Sequence, residues 1–75
     1  MGNFSVVLGA LGTTSTATCP GATDVATGGG FQAGSQGQTI HGNFAVGNPA
    51  TGWQAATVNA AGVQAYVVCF TPPAP

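Results

Sequence analysis

Residues 39–46 read Thr-Ile-His-Gly-Asn-Phe-Ala-Val, and their alternation decides the fold class. Ile40, Gly42, Phe44 and Val46 share one phase of a two-residue period, and Thr39, His41, Asn43 and Ala45 share the other. Only an extended strand sorts side chains in this way. The strand therefore has an inside and an outside, and Ile40, Phe44 and Val46 are expected in the core.

Working outward, short β-prone runs recur between clusters of Gly, Pro and Asn, as in an antiparallel all-β unit. Phe4–Leu8 is the first run, closed by Gly9 and Gly12. In Thr13–Cys19 a row of Thr14, Thr16 and Thr18 alternates with Ser15, Ala17 and Cys19, so the cysteine phase can point inward. Pro20–Gly21 ends that run. A third run starts at Asp24–Val25 and resumes at Phe31 after Gly28–Gly29–Gly30, three glycines that imply a bulge or close packing by a bulky ring. Gly34–Gln38 reads as a polar loop. Asn48–Pro49 and Gly52 mark the next turn, Trp53–Asn59 the fifth run, and Ala60–Ala61–Gly62 a turn into Val63–Phe70. In that last run Val63, Ala65, Val67 and Cys69 form one apolar face, and Tyr66, Val68 and Phe70 form a second. Such a strand is either covered twice or meets a partner. Val67 and Trp53 complete the expected core. Thr71–Pro75 reads as a Pro-rich tail or linker, which leaves one β domain over residues 3–70.

The chain has 75 residues, 44% hydrophobic and 1% charged, with no Lys or Arg and a net charge of −1. Soluble domains usually carry roughly 25% charged residues. Without cations the chain cannot neutralise phosphates, which argues against DNA and RNA as partners, and it has no polybasic attraction to lipid headgroups. No run approaches the roughly 20 apolar residues of a membrane-spanning helix. Met1 reads as an added start or processed boundary, since nothing near it resembles the basic head of a signal peptide. Near-zero charge leaves molecules with little mutual repulsion, which favours association.

Cys19 and Cys69 are the two cysteines. With only His41 as a further ligand they do not make a metal site. A bridge between them is favoured over two buried thiols, because so small a core needs a crosslink, and the loop closed contributes roughly 4 kcal/mol in the chain-entropy picture.

Four blocks in order resemble a known module: Ala17-Thr18-Cys19-Pro20-Gly21, then Val25–Phe31, then Gly52-Trp53-Gln54 with Val58-Asn59, then Ala65–Cys69. Together they are similar to a small β module of exported proteins in high-GC Gram-positive bacteria and their phages, with the pattern "ATCPAGTxATGGGF … GW … N … AYVVC". The resemblance covers residues 13–71. It implies an extracellular or cell-surface location, a β-rich fold, a Cys19–Cys69 pair and attachment to the end of collagen-like or low-complexity stalks. It implies no activity. Where the family has Pro-Ala-Gly-Thr after the first cysteine, this chain has Pro20-Gly21-Ala22-Thr23, and its scarcity of charge also departs from the family.

The stock of catalytic groups is thin. Ser35, His41 and Asp24 can be written as a Ser–His–Asp set, but no nucleophile elbow accompanies them. His41 is expected as an exposed or interface histidine, and Asp24 as a turn cap. Gly28–Gly30 precedes no helix and lacks the Lys and Ser/Thr of a phosphate loop. Trp53 is the one ligand contact worth naming, since an indole can stack on a sugar; the competing expectation is a core Trp against the glycine patch. The threonine row is ordinary strand chemistry, and Asn3-Phe4-Ser5 fits a glycosylation sequon.

The expected fold is a small antiparallel β-sandwich or barrel of five to six strands with one disulfide, its first and last strands tied near that bridge. The expected function is non-enzymatic, with no cofactor and no metal: a self-associating subunit or terminal module of an extracellular assembly, partnered by copies of itself and by a stalk or parent protein. Phe4, Val6, Val7, Leu8, Tyr66, Val68 and Phe70 are the expected contacts. The alternative is a surface module that binds glycan or a cell-wall component through Trp53, Tyr66 and nearby amides.

Overall fold

A computed structural model of the chain describes residues 2–34, 39–58 and 61–73. Most of the polar loop at Gly34–Gln38, Ser35 among it, lies outside the described residues, as do Asn59, Ala60, Ala74 and Pro75. Among the described residues six strands follow one another without helix: β1 Asn3–Leu8, β2 Thr14–Thr18, β3 Val25–Ala33, β4 Ile40–Gly47, β5 Ala50–Thr57 and β6 Val63–Thr71. They form two antiparallel three-stranded sheets, ordered β1-β6-β3 and β2-β5-β4. The chain crosses between sheets at every connection except the β4–β5 hairpin, so nearly all pairing is non-local.

The expected all-β sandwich is therefore present with six strands. The first and last strands do pair, with Ser5 opposite Cys69. Cys69 is bridged to Cys19 just beyond β2, with the Cα atoms 5.8 Å apart. Because β6 and β2 belong to different sheets, the bridge clamps one layer to the other.

The core between the layers is built from small residues. Ala17, Cys19, Ala55, Val63, Ala65, Val67 and Cys69 form it, with Val7, Ala26, Phe31, Ile40 and Trp53 packed around them. Val63, Val67, Cys69 and Ser15 are the largest fully buried side chains. Ser15 belongs there because its hydroxyl accepts the Ala65 N–H at 2.8 Å. Gly9 still donates its N–H to the Ala65 carbonyl, but the Gly9 carbonyl accepts from the Gln64 side-chain amide, and the Ser15 hydroxyl supplies the acceptor that the buried Ala65 amide requires.

Val67, Ile40 and Trp53 meet the core expectation, but Phe44 does not. It is 48% exposed, and Val46 is half-buried on the same outward side. The pairing of β4 with β5 shows the cause. Ile40 stands opposite Thr57, but Gly42 stands opposite Ala56, so His41 is an extra residue in the ladder. A bulge of this kind shifts the alternation by one, and a one-residue slip sends every later side chain to the other face. Ile40 points in; after the bulge Asn43 and Ala45 share the phase of the buried Ala55 and of Trp53, while Phe44 and Val46 face out.

A second bulge lies in β3 between Ala26 and Gly28, beside the glycine run. Gly52, read as part of a turn, instead lies inside β5 opposite Thr18 and Val46. Gly62, at φ +76°, enters β6 against the Gly12 backbone in a conformation that side chains resist.

Candidate self-association face

The site follows from the phase of β6. Its odd-numbered residues Val63, Ala65, Val67 and Cys69 are buried, so Tyr66, Val68 and Phe70 stand on the outer surface of their sheet. On one side β1 pairs so that Phe4 meets Phe70, Val6 meets Val68 and Leu8 meets Tyr66. Directly opposite residues share a face, so all six lie side by side. On the other side Val25 stands opposite Phe70 and extends the patch. Phe4, Val6 and Leu8 are 67%, 63% and 64% exposed, and Tyr66 is 36% exposed.

Two ring contacts shape this surface. The Phe4 and Phe70 rings lie with centroids 5.0 Å apart and planes tilted by 51°, a favourable aromatic arrangement. Tyr66 lies across β3 because its neighbour there is Gly30, where a Cβ would sit 2.7 Å from the tyrosine hydroxyl. No formal charge interrupts the patch. Asp24, the chain's only acidic residue, is buried, and its Oδ2 accepts the Gly21 N–H at 3.0 Å, as expected of a turn cap.

Six of the seven expected contact residues meet on this face. Val7 is the exception: it stands opposite Val67 and packs against the core. In Phe-Ser-Val-Val-Leu the adjacent Val6 and Val7 are chemically identical, so the sequence does not show which of the two faces out. Val25 was missed because its place beside Phe70 depends on the β3–β6 register, a non-local pairing.

The remaining candidates lie elsewhere. Trp53 is half-buried between the sheets, where a Cβ on Gly29 would sit 2.5 Å from its Cγ and Cδ2 atoms. Its N–H donates to Asn43 Oδ1 at 2.6 Å. The indole thus rests on the glycine run, with its donor already engaged. His41 is exposed on β4, and Asn3 is exposed on β1. Ser35 lies outside the described residues, so the Ser–His–Asp set has no described geometry. Thr14, Thr16 and Thr18 point outward on β2, with Phe44 and Val46 on the same outer sheet surface.

Among the described residues no concave pocket forms and no cluster of His, Cys, Asp or Glu could hold a metal ion. No helix among them is long and apolar enough to cross a membrane. The disulfide is compatible with an oxidising compartment. The chain matches no family model, no curated protein and no solved structure.

Proposed function

We propose that this chain is a non-enzymatic structural subunit or terminal module of an extracellular assembly, and that it associates with copies of itself through the outer face of the β1-β6-β3 sheet. One observation carries the reading: large apolar side chains stand exposed together on one face. Alanine, valine and cystine make up the fully buried interior, with Phe31, Ile40 and Trp53 half-buried around it, while Phe4, Val6, Leu8 and Tyr66 stand exposed on one uncharged face. Single exposed apolar residues are ordinary, but a contiguous patch rarely lacks a partner. The resemblance to stalk-borne modules supports the terminal placement and the extracellular setting.

Sedimentation tests this. The wild-type chain is expected above monomer mass, and Val68→Asp, which places a carboxylate in the centre of the patch, is expected to lower that mass while the fold is retained. A wild-type monomer, or an assembly indifferent to Val68→Asp, contradicts the reading.

A further inference from the structure

We propose that two copies of this chain join edge to edge through β1, antiparallel about a two-fold axis at Val6, so that Phe4 of each copy stands opposite Leu8 of the other. The inference rests on the self-association reading and specifies its first step.

A sandwich of two three-stranded sheets has four edge strands, here β1, β3, β2 and β4. Unpaired edges invite pairing with another chain, and proteins blunt them with bulges, covering segments or charges. Three of these edges carry such a device. The β3 ladder is broken between Ala26 and Gly28, where the Thr27 hydroxyl turns back to donate to the Val68 carbonyl. The β4 ladder is broken twice, at Ile40/Gly42 and at Val46/Gly47. On β2, the crossing segment lies so close that a Cβ on Gly9 would sit 2.6 Å from the Thr16 carbonyl oxygen. By contrast β1 runs in unbroken register from Asn3 opposite Thr71 to Leu8 opposite Tyr66. It carries no charge, proline, glycine or bulge.

The main-chain phase of β1 then selects the partner. Gly9 N–H donates to Ala65 O at 2.8 Å. Antiparallel pairs alternate between exchanging hydrogen bonds and not, so Ser5 and Val7, in the phase of Gly9, turn their amides and carbonyls toward β6. Phe4, Val6 and Leu8 turn theirs to the open edge. These same residues carry the outward side chains. An added strand must therefore offer outward-facing residues in alternate positions, and a second β1 does so. With Val6 on a two-fold perpendicular to the sheet, Val6 pairs with Val6 and Phe4 with Leu8, and both outer faces remain on one side. A shift by one residue would oppose Phe4 to Val7, an outer side chain to an inner one, and is excluded by both side-chain and main-chain phase. The joined sheet has six strands and a doubled apolar face, which then serves the face-to-face contact proposed above.

The two contacts separate experimentally. If edges pair first, the Val68→Asp protein sediments as a dimer, and adding Val6→Pro reduces it to a monomer. Proline at this position removes an N–H directed at the open edge and leaves the bonds to β6 in place, as edge strands tolerate. A Val68→Asp monomer, or a dimer that survives Val6→Pro, overturns the edge inference and leaves the face reading standing. Should either variant fail to fold, crosslinking in the wild-type background decides. Cα atoms of a hydrogen-bonded pair lie about 5.5 Å apart, within disulfide reach. Val6→Cys is expected to oxidise to a covalent dimer. A mixture of Phe4→Cys and Leu8→Cys proteins is expected to form the heterodimer, while neither crosslinks alone. Crosslinking by Leu8→Cys alone, or none at Val6→Cys, overturns the register.

Discussion

Gly28 and Gly29 are adjacent, identical in chemistry and opposite in consequence. A Cβ on Gly29 would collide with the Trp53 indole, whereas a Cβ on Gly28 meets nothing within 4 Å. The first glycine is a matter of chain flexibility and the second of space. Gly29→Ala is expected to lower stability by about 1–3 kcal/mol through overpacking. Gly28→Ala is expected to leave stability unchanged or raise it by up to about 1 kcal/mol, because alanine has less freedom to lose in a strand. Urea unfolding midpoints compare the two directly, and equal shifts would contradict the stacking of Trp53 on Gly29. This residue-scale relation was legible in outline: a triple glycine inside a strand and a lone tryptophan suggest each other. Which glycine bears the ring was not legible, because the bulge between Ala26 and Gly28 sets the phase of the run.

Among the elements, β4 shows how an unambiguous pattern can still mislead. The alternation of Ile40, Gly42, Phe44 and Val46 correctly announces a strand, and the bulge at His41 then divides that set between two faces. No residue between Ile40 and Phe44 declares the bulge, since it is created by the β5 ladder against which β4 pairs. Deleting His41 would restore unbroken alternation. Either Ile40 would then leave the core or Phe44 would be driven into an interior already filled by Ala55 and Trp53. The deletion is therefore expected to destabilise more than His41→Ala, which keeps the residue count and removes only an exposed side chain. Thermal unfolding of the two variants tests this; comparable melting temperatures would show that the bulge is incidental. The first strand gives the complementary lesson: Val6 outside and Val7 inside are adjacent and identical, and the one polar residue of the run, Ser5, shares the inward phase of Val7, so local pattern could not separate the two faces.

For the molecule as a whole, the small-residue core makes the disulfide necessary. Alanine buries little apolar area, and hydrophobic stabilisation scales with that area at roughly 25 cal/mol per Å². The bridge closes a loop with a sequence separation of 50 and joins the two layers where Cys69 is fully buried. Its reduction is expected to cost about 2–5 kcal/mol. Chemical unfolding with and without reductant measures this, and coincident midpoints would mean that layer packing suffices alone. Dilution below the association threshold should accompany the measurement, because assembly also stabilises the folded chain by mass action.

From its sequence alone this protein is determined to be a charge-poor, all-β chain in short strands, with a bridge available between Cys19 and Cys69 and a final strand apolar on both sides. These properties reside in composition and in the local two-residue period, which neighbouring residues specify by themselves. Tertiary structure decided which phase of each strand faces inward, since alternation defines relative sides and a bulge resets them. It also decided that β6 is central while β1 is an edge, because strand order arises from pairings between residues far apart in the chain. The exposed face depends on both decisions, which is why its residues could be named in advance while Val7 had to be removed from it and Val25 added.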